Sequence, residues 1–296
     1  MQSSYAQQAA NSVIEQSRLL QQQPSTLNTN VNANGVALAG TDDGAVADDS
    51  FGSQIILKNQ ERRLAFTING DASFIYTSNV ALTRRDTRSD GLYVGSAGFT
   101  WARAFSSHLE AQFAAHASGF RYANTPELDF ENLGAGVGIS WTTPRLPGVA
   151  AFARYDFTEL LSTSGKQILR DHQFSIGAQK SFVFGRSHAL MLGVLGSAGI
   201  SDPHSARRDQ IGAFIAYHIK LTRSVESDVA YSPAGNFYPN GRRDLTHVLS
   251  WNFKYRFNQW SEANLFFSFA ENASNREVFE YTAWTGGAGA GLALRF

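Results

Sequence analysis

Leu64-Ala65-Phe66-Thr67-Ile68-Asn69-Gly70-Asp71-Ala72-Ser73-Phe74-Ile75-Tyr76-Thr77 is the stretch that decides the fold. Alternate residues Leu64, Phe66, Ile68, Gly70, Ala72, Phe74 and Tyr76 form an apolar face with an aromatic end. The residues between them, Thr67, Asn69, Asp71, Ser73 and Thr77 among them, are mostly polar. A helical face would recur every three to four residues, whereas a repeat of two is that of a strand with unlike faces.

The same split recurs downstream. Leu133, Ala135, Val137, Ile139 and Trp141 alternate with Gly134, Gly136, Gly138 and Ser140. Leu249, Trp251, Phe253, Tyr255 and Phe257 alternate with Ser250, Asn252, Lys254 and Arg256. Twelve such segments begin near residues 63, 91, 109, 131, 148, 172, 187, 208, 224, 245, 262 and 281. Each strand with its connector takes roughly 20 residues, which suits about ten membrane-embedded residues plus a turn.

Composition agrees with that period. Aromatics are 12% and charged residues only 17%, with 26 Gly, a combination that fits strands with one lipid face. The longest uncharged, mostly apolar run is Ser187–Ser201, too short and glycine-rich for a spanning helix of about 20 residues. Net charge is zero, which argues against a nucleic-acid partner. Zero Cys excludes a disulfide scaffold and any thiolate site.

Connector lengths alternate. Short ones are expected near Ser106–Ser107, Pro144–Gly148, Gly185–Ser187, Thr222–Arg223 and Asn258–Glu262. Long ones are expected near Asn79–Asp90, Ala123–Phe130, Glu159–Asp171, Asp202–Arg207, Pro233–Asp244 and Glu271–Glu277. A soluble β-sandwich or propeller would also alternate in hydropathy but not systematically in connector length. The fold class is therefore all-β, a transmembrane antiparallel up-and-down barrel of about twelve strands over residues 61–296. An even strand number returns both barrel ends to the short-turn rim, expected to be periplasmic, in the bacterial outer membrane.

The chain ends Gly291-Leu292-Ala293-Leu294-Arg295-Phe296. A terminal Phe with apolar residues at alternate positions before it resembles the closing strand of bacterial outer-membrane β-barrels of porin-like type. That resemblance implies insertion by the barrel-assembly machinery, with Leu292, Leu294 and Phe296 as its signal. Tyr76-Thr77-Ser78-Asn79-Val80 is similar to the opening strand of porin-like barrels and of barrels linked to exopolysaccharide or surface-protein export.

Residues 1–60 read differently. Val13, Ile14, Leu19 and Leu20 have some helical spacing, which Pro24 would end. Residues 25–50 hold no aromatic and carry Asp42, Asp43, Asp48 and Asp49, so the segment reads as an irregular, flexible acidic arm or plug. Ser53–Lys58 is an apolar island that would pair at an edge or enter the barrel. A basic region followed by an apolar one is not seen at the N-terminus, so an exported protein is expected here in mature form.

The polar face is expected to line the lumen. Glu110, His116, Ser118, Arg154, Asp156, Lys220, Glu226, Asp228, Lys254 and Arg256 fall on it. Ionisable groups there must be paired or hydrated. They read either as a charged constriction that filters solutes or as a structural network plugging a narrow barrel. The glycines among them leave room for water or an inserted segment.

His116-Ala117-Ser118 resembles the His-x-Ser pair of outer-membrane lipid hydrolases, but there the pair faces lipid and an Asn follows the Ser. Here Gly119 follows, and the pair is expected in the lumen, so no catalytic residue is assigned. Arg-Arg-Asp occurs three times, with Arg84 and Arg85, Arg207 and Arg208, and Arg242 and Arg243 expected on the extracellular rim. They would contact lipopolysaccharide phosphates or anionic solutes, or simply pair with the Asp of each triplet. The seven His are too scattered for a metal site, and no cofactor motif is present.

Three functions follow as expectations: a non-enzymatic channel for small hydrophilic solutes, a plugged structural or assembly barrel whose arm binds a periplasmic or export partner, and, third, a lipid hydrolase.

Overall fold

The computed structural model describes residues 2–21, 66–185 and 187–296, so Ser53–Lys58 and most of the expected arm lie outside the described residues. A helix, α1 (Gln2–Gln21), precedes twelve strands. These are β1 (Phe66–Thr77), β2 (Asp90–Ala104), β3 (Leu109–Tyr122), β4 (Phe130–Thr142), β5 (Val149–Ser162) and β6 (Gln167–Phe184). They continue with β7 (His188–Asp202), β8 (Asp209–Lys220), β9 (Val225–Phe237), β10 (Arg243–Arg256), β11 (Ser261–Ser274) and β12 (Tyr281–Arg295). Each strand pairs with its chain neighbours and β1 pairs antiparallel with β12, which closes the barrel and leaves no free edge. The seam is completed by Phe66 N–H to the Phe296 carbonyl at 3.2 Å and Phe296 N–H to the Phe66 carbonyl at 2.9 Å.

The expected face assignment holds along the ladders. Ile68, Phe74, Val137, Ile139, Trp141, Phe174, Ile176, Val194, Ile211 and Trp251 are exposed on the outside. A closed sheet this apolar on its outer face has lipid as its solvent. Phe105, Trp141, Phe184, Phe257, Trp260 and Phe296 ring one end, and Tyr76, Tyr93 and Trp284 mark the other. Rings of this kind sit at the two membrane surfaces, where an aromatic body meets lipid and its edge meets water. Beyond the second ring, outward-facing side chains pair across strands: Arg121 with Glu131 at 2.9 Å and Arg170 with Glu159 at 2.7 Å.

Two expected long connectors are short. β5 and β6 run on to Ser162 and from Gln167, and Gly165 turns the chain with φ +79°. β9 runs through Pro233 to Phe237, and β10 starts at Arg243. The ladder hydrogen bonds continue past the apolar belt because polar strand residues pair as well in water as apolar ones do in lipid. The β5–β6 ladder shifts register between Leu160 and Leu161, and the β8–β9 ladder skips a step at Ala213 and Phe214 opposite Ser232 and Pro233, where proline lacks the N–H a ladder needs.

Near the long-connector rim the inward face turns apolar. Ile75, Leu92, Phe120, Phe130, Leu160 and Leu169 form a buried cluster inside the barrel, with Phe120 and Phe130 stacked at 4.3 Å. Helix α1 completes it: within the expected N-terminal arm or plug, residues 2–21 form a helix that packs into the barrel.

Candidate functional site: a capped lumen

Helix α1 sits across the long-connector mouth. Val13 and Ile14 enter the cluster on the β1–β6 side, and Leu19 packs with Leu82, Val248, Ala270, Tyr281 and Ala283 on the other. Each of these three buried side chains contributes roughly 2 kcal/mol relative to exposure. An isolated helix of this length is marginal in water, so the barrel interior is what holds it. The helix lies at the opposite rim from Phe296, so the chain's N-terminal helix and its C-terminus do not share the short-turn side.

Polar contacts fix the rotation of the helix. Gln16 donates through Nε2 to the carbonyls of Asn79 at 3.0 Å and Val80 at 2.8 Å. Arg18 donates to the Ala206 carbonyl at 2.6 Å. Glu15 accepts from Arg242 Nη1 at 3.1 Å and lies 3.8 Å from Arg18. Arg242 is itself 5% exposed, bonded to Asp244 through Nε at 2.7 Å and through Nη2. Its guanidinium stacks over Tyr238 at 4.2 Å and Phe279 at 3.6 Å. Burial works against the Arg242 charge, but Asp244 and Glu15 outweigh it and hold the group above its usual range. Burial, with Glu15 beside it, pushes the Tyr238 phenol up to about 12. Burial and then Arg18 push Arg208 below its ordinary value.

A cavity of about 10 Å³ remains between helix and wall, bordered by Glu15, Arg18, Arg208, Asn236, Tyr238 and Asp244. Arg208 Nε, Asn236 Oδ1 and Asp244 Oδ1 are buried there with no hydrogen-bond partner among the described residues.

The sequence-predicted lumen residues all face inward, but they do not make one ring. His116, Arg154 and Asp156 gather on β3–β5, where Arg154 Nε meets Asp156 Oδ1 at 2.6 Å and Asn132 lies 3.5 Å from His116 Nε2. His218 meets Asp228 at 2.7 Å, Arg256 meets Glu226 at 2.9 Å and Lys254 lies 3.8 Å from Glu262, all on β8–β11 toward the short-turn end. Glu110 and Lys220 lie at that end too, Lys220 exposed. Ser118 stands two residues above His116 with Asn132 directly across from it on β4. His116 is exposed even though it is inside the barrel, so water reaches the β3–β5 wall.

Gly134 and Gly136, inward on β4, are not open room, contrary to expectation. A Cβ on Gly134 would collide with the His116 ring, and one on Gly136 would meet Asp156 Oδ1 at 2.5 Å. The long polar side chains of β3 and β5 lie flat across β4, and only glycine lets them.

The six rim arginines divide. Arg84 and Arg85 are exposed and reach Glu280 at 2.7 Å and Glu277 at 3.4 Å rather than Asp86. Arg207 pairs with Asp209 at 3.2 Å and Arg243 is exposed. Arg208 and Arg242 are not part of a basic outer rim: both turn inward to the helix seat, because an inward position at the mouth meets Glu15 and Asp244 instead of water. Leu292, Leu294 and Phe296 face outward on β12. Among the described residues no group of His, Asp and Glu is placed to hold a metal.

No protein-family profile and no curated protein matches the chain. Among solved structures, an outer membrane channel from Pseudomonas putida F1 is similar, with TM-score 0.53 and 11% identity over 78% of this chain and 96% of that one. A bacterial polysaccharide outer membrane secretin is also similar, with TM-score 0.46 and 10% identity over 79% of this chain and 99% of that one. The first likeness is one of fold: the chain is a closed, twelve-stranded barrel of the bacterial outer-membrane type.

Proposed function

We propose that this protein is an outer-membrane channel for small hydrophilic solutes, closed at its long-connector mouth by its own N-terminal helix. The observation that carries the reading is a wetted polar wall beneath a helix held by an incompletely satisfied polar seat. Arg154 and Asp156 keep 21% and 28% of their side chains exposed inside the barrel. Buried polar atoms left without partners are costly, so the seat favours departure as well as closure. Short turns face the periplasm in barrels of this kind, which puts the helix at the extracellular mouth. Insertion by the barrel-assembly machinery through Leu292, Leu294 and Phe296 belongs to the same reading.

The reading is non-enzymatic. His116 approaches Asn132, and its wall faces the lumen, away from any lipid ester. A second reading, a permanently plugged structural or partner-binding barrel, is favoured by the apolar contacts of Val13, Ile14 and Leu19 and by the paired lumen charges.

One experiment separates the two. The chain has no cysteine, so Gln16→Cys with Val80→Cys gives a clean tether through a reducible bis-methanethiosulfonate cross-linker. In planar bilayers the tethered protein should be silent and the reduced protein should show discrete conductance steps. Silence in both states would sink the channel reading and leave the plugged barrel.

A further inference from the structure

We propose that Arg208 and Arg242 form a carboxylate-binding site at the mouth, occupied in this closed state by Glu15 of the chain's own helix. Small carboxylate-bearing solutes then compete with the helix and release it. The inference rests on the channel reading and names the solute class that opens it.

The wall half of the site is built in advance. Arg242 is buried, its plane set by Asp244 on one edge and by Tyr238 and Phe279 on its faces, so Nη1 points at the Glu15 carboxylate without rearrangement. Arg208 borders the same cavity with a buried Nε donor that Glu15 leaves unused. Two guanidiniums therefore stand at the cavity that the Glu15 carboxylate borders: Arg242 is bonded to that carboxylate, and Arg208 keeps a buried Nε without a partner.

Size decides how a solute gets there. A cavity of about 10 Å³ has room for a single water and none for an organic acid. A solute carboxylate binds only by replacing Glu15, which makes binding and helix release one event. The ligand shifts the closed–open balance by its preference for the vacated seat over the occupied one.

Charge decides the class. The charged groups facing the seat are Arg18, Arg208 and Arg242 against Glu15, Asp244 and Asp171. Lifting the helix removes Glu15 and Arg18 together, so the wall stays balanced. A solute's carboxylate group, planar and singly charged, then replaces that of Glu15 like with like while any second carboxylate of the solute stays outside the seat, whereas a phosphate dianion puts two charges into the seat itself, which Asp244 and Asp171 oppose. Neutral sugars offer nothing to the two donors.

The test uses the full chain with a spin label at Asn11→Cys, an exposed helix position. Sodium succinate should raise label mobility with a saturable midpoint, glucose should not, and inorganic phosphate at equal ionic strength should act only at higher concentration. The pair Arg242→Gln with Asp244→Asn removes the donor without stranding the Asp244 carboxylate, and should raise the succinate midpoint roughly tenfold or more. Glu15→Gln leaves the wall intact and should lower that midpoint, which covers the case in which the wall variant does not fold. No response to succinate, equal potency of phosphate, or an unmoved midpoint in both variants would overturn the site. Bilayer recordings on the same protein keep the two readings apart. Helix release without conductance removes the channel and keeps the site; conductance indifferent to succinate does the reverse.

Discussion

A methyl group on Gly134 has nowhere to go, because the His116 ring lies across the strand at that point. The same holds at Gly193 beneath Phe214 and at Gly287, where Phe266 would come within 2.7 Å. Inside this barrel, large inward side chains rest on a glycine of the neighbouring strand, a cross-strand pairing that fixes register as well as filling space. Gly134→Ala should destabilise the barrel by about 1–3 kcal/mol, since either the ring or the strand must move. Urea titration of folded protein in detergent micelles would read it, and an unchanged midpoint would show that His116 swings freely into the lumen. A sequence displays these glycines plainly but not what covers them, since the covering residue is on another strand. Hence Gly134 and Gly136 looked like vacant space although His116 and Asp156 occupy it.

Helix α1 and the strand ends that receive it form the next level of organisation. Val13, Ile14 and Leu19 are ordinary apolar residues in a polar segment, and their spacing already suggested a turn or two of helix before Pro24. What the segment could not reveal was a partner surface. That surface is made by Ile75, Leu92, Phe120, Phe130 and Leu160, which come from five strands and meet only when the barrel closes. Leu19→Ala should weaken helix docking by about 2–5 kcal/mol, because the site is sealed on all sides by barrel residues. Hydrogen exchange of the α1 amides should speed up accordingly while the strand amides stay protected. Equal exchange in wild type and variant would mean that Leu19 does not hold the helix and that Val13, Ile14 and the polar contacts suffice. On the outer face, Tyr155 with His172 at 2.8 Å and Tyr231 with His247 at 2.7 Å satisfy each other across strands. Scattered histidines that looked idle along the chain are thus half of diagonal pairs.

The whole molecule is a cylinder with lipid outside, water and paired charges inside, and a helix across one end. Depth in the membrane should govern the effect of a charge on its outer wall. Val194→Arg, in the middle of β7, should cost about 2–4 kcal/mol of folding into vesicles, and Ile200→Arg, near the long-connector end, about 0–1 kcal/mol. Equal costs would mean that the belt is misplaced. Twelve strands, their faces and the closing strand at Phe296 were all readable from the sequence, because a period of two and a lipid-facing half are local properties written residue by residue. The inward direction of His116, Arg154, Asp156, Glu226 and Lys254 followed from the same period. Their division into two clusters did not, nor did the inward turn of Arg208 and Arg242 from an expected basic rim. The seat for Glu15 could not be read either. Those depend on which strands stand opposite one another and on what fills the space between them. A pattern along one strand carries no information about the far wall of a barrel, and only closure brings the mouth, the helix and its arginines to one place.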